Sequence, residues 1–112
     1  MATITHKQGD TLELTFQLTV DDTAVDITNF TITSQIRDSA DTLLVTDNFD
    51  GNLTFSLIDA SEGQFELTAS PTATSEWSER TYYCDVQFVD TDSETSSSET
   101  FKIKVIKDIT RA

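Results

Sequence analysis

Ten consecutive residues, Thr11 to Val20 (TLELTFQLTV), alternate between polar and apolar without a break. Leu12, Leu14, Phe16, Leu18 and Val20 fall on one parity, and Thr11, Glu13, Thr15, Gln17 and Thr19 on the other. In an extended chain successive side chains point to opposite faces, so this spacing puts five apolar groups on one side of a strand. A helix needs apolar residues recurring three and four apart, and period two is the only good fit. The same alternation returns in Phe30, Ile32, Ser34 and Ile36, in Leu53, Phe55 and Leu57, and in Phe65, Leu67 and Ala69. It appears again in Tyr82, Cys84, Val86 and Phe88, and in Phe101, Ile103 and Val105. Leu43 to Val45 is a shorter candidate, and Thr3 to Thr5 an N-terminal edge strand. The pattern predicts seven or eight half-buried strands spaced about a dozen residues apart. Threonine on the polar parity suits the solvent side of a pleated sheet.

Three glycines and one proline serve the whole chain, so Asp and Asn carry the bends. Their side chains bond nearby backbone groups and tolerate left-handed conformations. Turns are expected at Asp21-Asp22, Asp47 to Asn52, Glu62-Gly63 and Asp92-Ser93. Pro71 to Ser78 (PTATSEWS) reads as one helical turn crossing between sheets, and Asp90 to Glu99 (DTDSETSSSE) as a mobile hairpin loop. With 112 residues there is room for one domain, spanning residues 1–112. Strands of this number and spacing imply an all-β fold, an immunoglobulin-like antiparallel β-sandwich.

Charge narrows the partners. The chain holds 20 acidic and 7 basic residues, for a net of −13. Residues 1–101 carry 19 acids and 3 bases, a net of −16, whereas Lys102, Lys104, Lys107 and Arg111 face only Asp108 in the remainder, a net of +3. An acidic body repels phosphate backbones and anionic membrane surfaces, so neither nucleic acid nor membrane is expected as a partner. The basic strip reads in two ways. Lysines guard edge strands against unwanted pairing; they also make a contact strip for an acidic neighbour, a second copy of this chain included. Lys102, Lys104, Lys107 and Arg111 are therefore the candidate protein-interface residues. No apolar run exceeds three residues, and the start (MATITHKQGD) lacks the apolar stretch of a secretory signal. A single cysteine excludes an internal disulfide and fits assembly in a reducing cytoplasm.

Catalytic chemistry is sparse in the sequence. His6 is the only histidine and has no partner in a recognisable motif, and no phosphate-cradling, dinucleotide-binding, nucleophile-elbow or zinc-protease pattern occurs. Cys84 shares its parity with Tyr82, Val86 and Phe88, so it is expected in the core, where an apolar setting raises its pKa and makes it inert. Asp90 to Glu94 begins like a calcium loop, but Thr95 stands at the sixth position and Phe101 at the twelfth, where glycine and glutamate belong. Trp77 is read as a plug closing the end of the core, the other reading being an exposed anchor. The expectation is a non-enzyme with no catalytic, cofactor-binding or metal-ligating residues, and with Trp77, Tyr82 and Cys84 as structural core.

Tyr82, two residues before Cys84, resembles the tyrosine corner of immunoglobulin domains. Six phrases in order resemble a wider family. Gln8-Gly9-Asp10-Thr11, Asp26 to Thr31 (DITNFT), Ser34 to Asp38 (SQIRD), Gly63 to Leu67 (GQFEL), Tyr82 to Gln87 (YYCDVQ) and Ile106 to Arg111 (IKDITR) are similar to segments of the N-terminal module of phage baseplate upper proteins. The departures are Asn29, where that family usually has glycine, and Cys84, where it has tyrosine. The resemblance implies a virion structural role: an immunoglobulin-like module assembled in multiple copies, made in the host cytoplasm, with other virion proteins and itself as partners. In that family the module often leads a longer chain. Here the sequence ends directly after it, and the expectation is a tail or baseplate connector or adaptor. A head decoration protein is the first alternative. A carbohydrate-binding or host-attachment module is the second, and it requires an exposed aromatic platform drawn from Trp77, Tyr83 and Phe49.

Overall fold

The computed structural model describes residues 2–109. Its strands are β1 (Thr3–Lys7), β2 (Leu12–Gln17), β3 (Thr19–Val20), β4 (Thr23–Ala24), β5 (Thr31–Arg37), β6 (Thr54–Asp59), β7 (Gln64–Ala69), β8 (Thr81–Val89), β9 (Thr95–Ser97) and β10 (Phe101–Ile106). One sheet has the order β1-β10-β8-β5, with β9 also on β8; the second is β2-β7-β6; β3 and β4 form a separate hairpin. Connections repeatedly cross from one sheet to the other: β1 to β2, β5 to β6, and β7 to β8. That strand order, in two sheets closing on a shared core, is an immunoglobulin-like sandwich.

Period-two patterning explains the core. On β8, Tyr82, Cys84, Val86 and Phe88 are buried while the residues between them are not; Phe101, Ile103 and Val105 do the same on β10, and Ile32, Ser34 and Ile36 on β5. From the facing sheet come Leu12 and Leu14 of β2 and Phe65, Leu67 and Ala69 of β7. Phe65 lies at the middle, with ring centroids 5.3 Å from Phe16, 5.8 Å from Phe55 and 5.9 Å from Phe88. Offset and edge-on aromatic pairs at these separations add to the gain from burial itself.

Four expectations need correction. The sheets are not wholly antiparallel, because edge strand β1 runs parallel to β10, pairing Thr3 with Lys102 and Lys7 with Ile106. The long alternating segment does not form one strand: β2 ends at Gln17, and Val20 is 60% exposed on the β3–β4 hairpin. Leu18 is the switch point: its N–H still donates to the Gly63 carbonyl beside β7, while its carbonyl accepts from Val25 in the hairpin that turns back through Asp21 and Asp22, both at positive φ. Gly63 itself has φ 70, and a Cβ there would lie 2.6 Å from the Leu18 oxygen and 2.7 Å from that of Val25. Leu43 to Val45 is no strand; it is a loop that bridges once to β5, at Arg37, with Val45 62% exposed. Finally, the Asp90–Glu99 segment is a hairpin but not all loop: Thr95–Ser97 pair with β8 as β9, and the turn is held by the Asp90 carboxylate, which accepts from the N–H groups of Asp92 and Glu94.

Candidate functional site

The outward positions of the five-stranded sheet carry the surface chemistry. Because Phe101, Ile103 and Val105 face the core, Lys102 and Lys104 on β10 must face out. Cross-strand register then fixes their neighbours. Lys102 lies opposite Tyr83 of β8, which lies opposite Arg37 of β5, giving a continuous row Thr3–Lys102–Tyr83–Arg37 across four strands. The next row holds Thr5, Lys104 and Thr81. The Lys102 ammonium stands 6.0 Å from the Tyr83 ring centroid, within reach of a cation–π attraction. An open groove of about 450 Å³ runs beside Tyr83, lined by Gln35, Arg37, Asp38, Asp85 and Thr100 among others.

Two exposed ion pairs occupy one border of this face. Arg37 approaches Asp41 at 3.8 Å and donates from Nη1 to the Asp41 carbonyl at 3.0 Å; Arg80 approaches Asp38 at 3.8 Å. Among the described residues, neither Lys102 nor Lys104 has an acidic partner within 4 Å. Of the other interface candidates, Lys107 follows the end of β10 and is exposed, and Arg111 lies outside the described residues. Arg37 is not among the sequence candidates, and Tyr83 is one only for an aromatic platform. Their signal is parity: each occupies the polar phase of a strand whose opposite phase is apolar.

Behind the same sheet the inner positions are sealed. Trp77 is fully buried at one end of the core, its ring 5.0 Å from Phe49 and 6.4 Å from Tyr82 between centroids. Its Nε1 has no hydrogen-bond partner among the described residues. Gln8 donates from Nε2 to the Trp77 carbonyl at 2.6 Å, Gly9 donates its N–H to Thr74 Oγ1 at 3.1 Å, and Thr74 Oγ1 donates to the Asp10 carbonyl at 2.7 Å. These bonds tie the β1–β2 turn to the helical turn α1 (Pro71–Thr74) and the tryptophan that follows. The Tyr82 hydroxyl donates to the Ser78 carbonyl at 3.0 Å, which is the bond a tyrosine corner makes to the backbone a few residues upstream. Burial raises the Tyr82 pKa above its ordinary value.

Cys84 is buried with its Sγ 3.0 Å from Ser34 Oγ. Desolvation pushes its pKa up to about 11, against a smaller opposing effect of the Ser34 hydrogen bond. At neutral pH it is a protonated thiol without nucleophilic character. His6, on β1, has Nε2 3.0 Å from the Asp10 carbonyl and its ring 6.4 Å from Trp77. Among the described residues no three His, Cys, Asp or Glu side chains are grouped so as to hold a metal ion. An aromatic platform drawn from Trp77, Tyr83 and Phe49 does not exist: Trp77 and Phe49 are buried against each other, and only Tyr83 faces out.

No family model matches the chain, and the search of curated proteins finds no match either. Among solved structures, the Ig1 domain of mouse SynCAM 2 is similar over 96% of this chain and 95% of that one, at 19% identity and a TM-score of 0.42. The fold assignment rests on strand order and register and not on that likeness.

Proposed function

We propose that this chain is a non-enzymatic structural protein of a bacteriophage virion, a tail or baseplate connector or adaptor that acts through protein–protein contacts. The observation that carries the reading is the cationic and aromatic row Lys102–Tyr83–Arg37, with Lys104 beside it, presented on the outer face of a sheet in a protein of net charge −13. Basic side chains gathered on one face of so acidic a body make a local field suited to an acidic protein surface. A sheet face that carries threonine, lysine, one arginine and one tyrosine, with Asp85 at its side, offers area for such a contact, Tyr and Arg being residue types that often anchor interfaces.

The six phrases similar to the baseplate module support the same reading, and two have visible structural roles. Gln8-Gly9-Asp10 ties the β1–β2 turn to Trp77 and Thr74, and Tyr82 makes the corner bond. A glycan-binding role is disfavoured by the burial of Trp77 and Phe49.

The test is to locate the chain in purified particles by quantitative mass spectrometry and by gold-labelled antibody. Label at the tail tip or baseplate is expected. Label over the head would favour decoration of the capsid, and absence from particles would overturn the reading.

A further inference from the structure

The two outer faces of the sandwich differ in charge: outward positions of the five-stranded sheet hold Lys7, Arg37, Lys102 and Lys104 against Asp85, whereas those of the three-stranded sheet hold acids and no base. All six described basic residues lie in or directly beside strands of the five-stranded sheet: Lys7 on β1, Arg37 on β5, Arg80 before β8, Lys102 and Lys104 on β10, and Lys107 after it. The three-stranded sheet has none. Its outward positions include Glu13 on β2 and Glu66 on β7, amid Thr15, Gln17, Thr54, Ser56, Gln64 and Thr68. Among the described residues, Glu13 and Glu66 have no basic partner within 4 Å.

We infer that copies of this chain stack face to back, the Lys102–Lys104 pair of one copy on the Glu13–Glu66 pair of the next. The inference rests on the reading that the cationic row is a contact surface, and it names the surface that row meets. Spacing supports the match. Lys102 and Lys104 are two residues apart on one strand, about 7 Å along it. Register places Glu13 opposite Thr68 and Glu66 opposite Thr15, so the two carboxylates stand on the diagonal of adjacent strands, about 7–8 Å apart. Two ammonium groups and two carboxylates therefore meet at similar separations, on sheet faces that also carry several threonines, with Asp85 on the one and the exposed Ile58 of β6 on the other.

The net charge of −13 does not forbid this contact. At physiological ionic strength the Debye length is about 8 Å, so repulsion between the bodies is damped while pairs in contact still act. Since the two faces differ, the contact is heterologous. Such contacts close into rings or propagate as stacks, and do not stop at a twofold dimer.

Charge exchange tests the inference. Wild-type chain should show a concentration-dependent mass above the monomer in sedimentation velocity. K102E/K104E makes both faces acidic and E13K/E66K makes both basic, so each alone should be monomeric. Mixing them should restore assembly, and so should the quadruple variant carrying all four changes. K102Q/K104Q and E13Q/E66Q serve if a reversal variant fails to fold by circular dichroism, and each should weaken assembly at least tenfold. A monomeric wild type would overturn the inference, as would unchanged assembly of either single-face variant or no recovery on mixing. Incorporation into particles, measured separately, keeps the outcomes apart: a monomeric chain still present in particles removes only the face-to-back contact, whereas absence from particles removes the structural role beneath it.

Discussion

Tyr82 and Tyr83 are adjacent, share one strand and have the same side chain, yet they belong to different parts of the protein. Tyr82 faces inward, is 2% exposed, packs beside Trp77 and uses its hydroxyl to hold the Ser78 carbonyl. Tyr83 faces outward beneath the Lys102 ammonium and beside Arg37. The inner face of the five-stranded sheet is specified by volume and buried hydrogen bonds, so substitutions there should change stability. The outer face is specified by charge and register, so substitutions there should change association and leave stability nearly untouched.

Substitutions on either side of the sheet can break that division. The largest effect is expected for Trp77→Ala, which empties the end of the core beside Phe49 and Tyr82. It should cost about 3–5 kcal/mol in denaturant unfolding, and a loss below about 1 kcal/mol would mean that Trp77 does not close the core. Gly63→Ala comes next, at about 2–3 kcal/mol, because any Cβ at that left-handed position meets two backbone oxygens. Tyr82→Phe removes the corner hydrogen bond and little volume, so about 1 kcal/mol should be lost. Tyr83→Ala should alter stability by about 0.5 kcal/mol or less while weakening association. Equal destabilisation at Tyr82 and Tyr83 would erase the distinction.

The inner face should also reveal itself at alkaline pH. Burial raises the Cys84 pKa from 9.0 to about 11, so the unfolded chain releases that proton before the folded one does. The folded state therefore loses stability as the pH climbs from about 9 towards 11, with Tyr82 adding to the loss in the same direction. Urea midpoints measured across that range should fall, and Cys84→Ala, though less stable throughout, should fall less steeply. A midpoint that rises with pH would contradict the buried thiol.

Much of this division was legible in the sequence, for a physical reason. A strand half-buried in a sandwich writes its two faces as two parities, and YYCDVQF and FKIKV state both at once. Lys102 and Lys104 could thus be placed outward without coordinates. What parity cannot supply is which strands are neighbours. Arg37 joins Tyr83 and Lys102 only through the β5–β8–β10 register, and Glu13 meets Glu66 only through β2–β7, so neither face could be assembled from spacing alone. The break at Leu18 was hidden for a similar reason. Apolar alternation continues through Val20, and what takes the chain off β2, the Val25 bond to the Leu18 carbonyl and the left-handed Asp21–Asp22 turn, lies beyond the strand. Phe49 sits among the polar Asp47, Asn48 and Asp50, so its neighbours in sequence give no sign of its burial against Trp77.

The outer face of the five-stranded sheet is the proposed contact surface. Its most direct test is the copy number of K102E/K104E in purified particles, measured against wild type by quantitative mass spectrometry alongside a melting curve of the isolated chain. If the proposed contact operates, the variant melts with wild type but is missing from particles or present at a small fraction of the wild-type number. Full incorporation of a normally folded variant would contradict it.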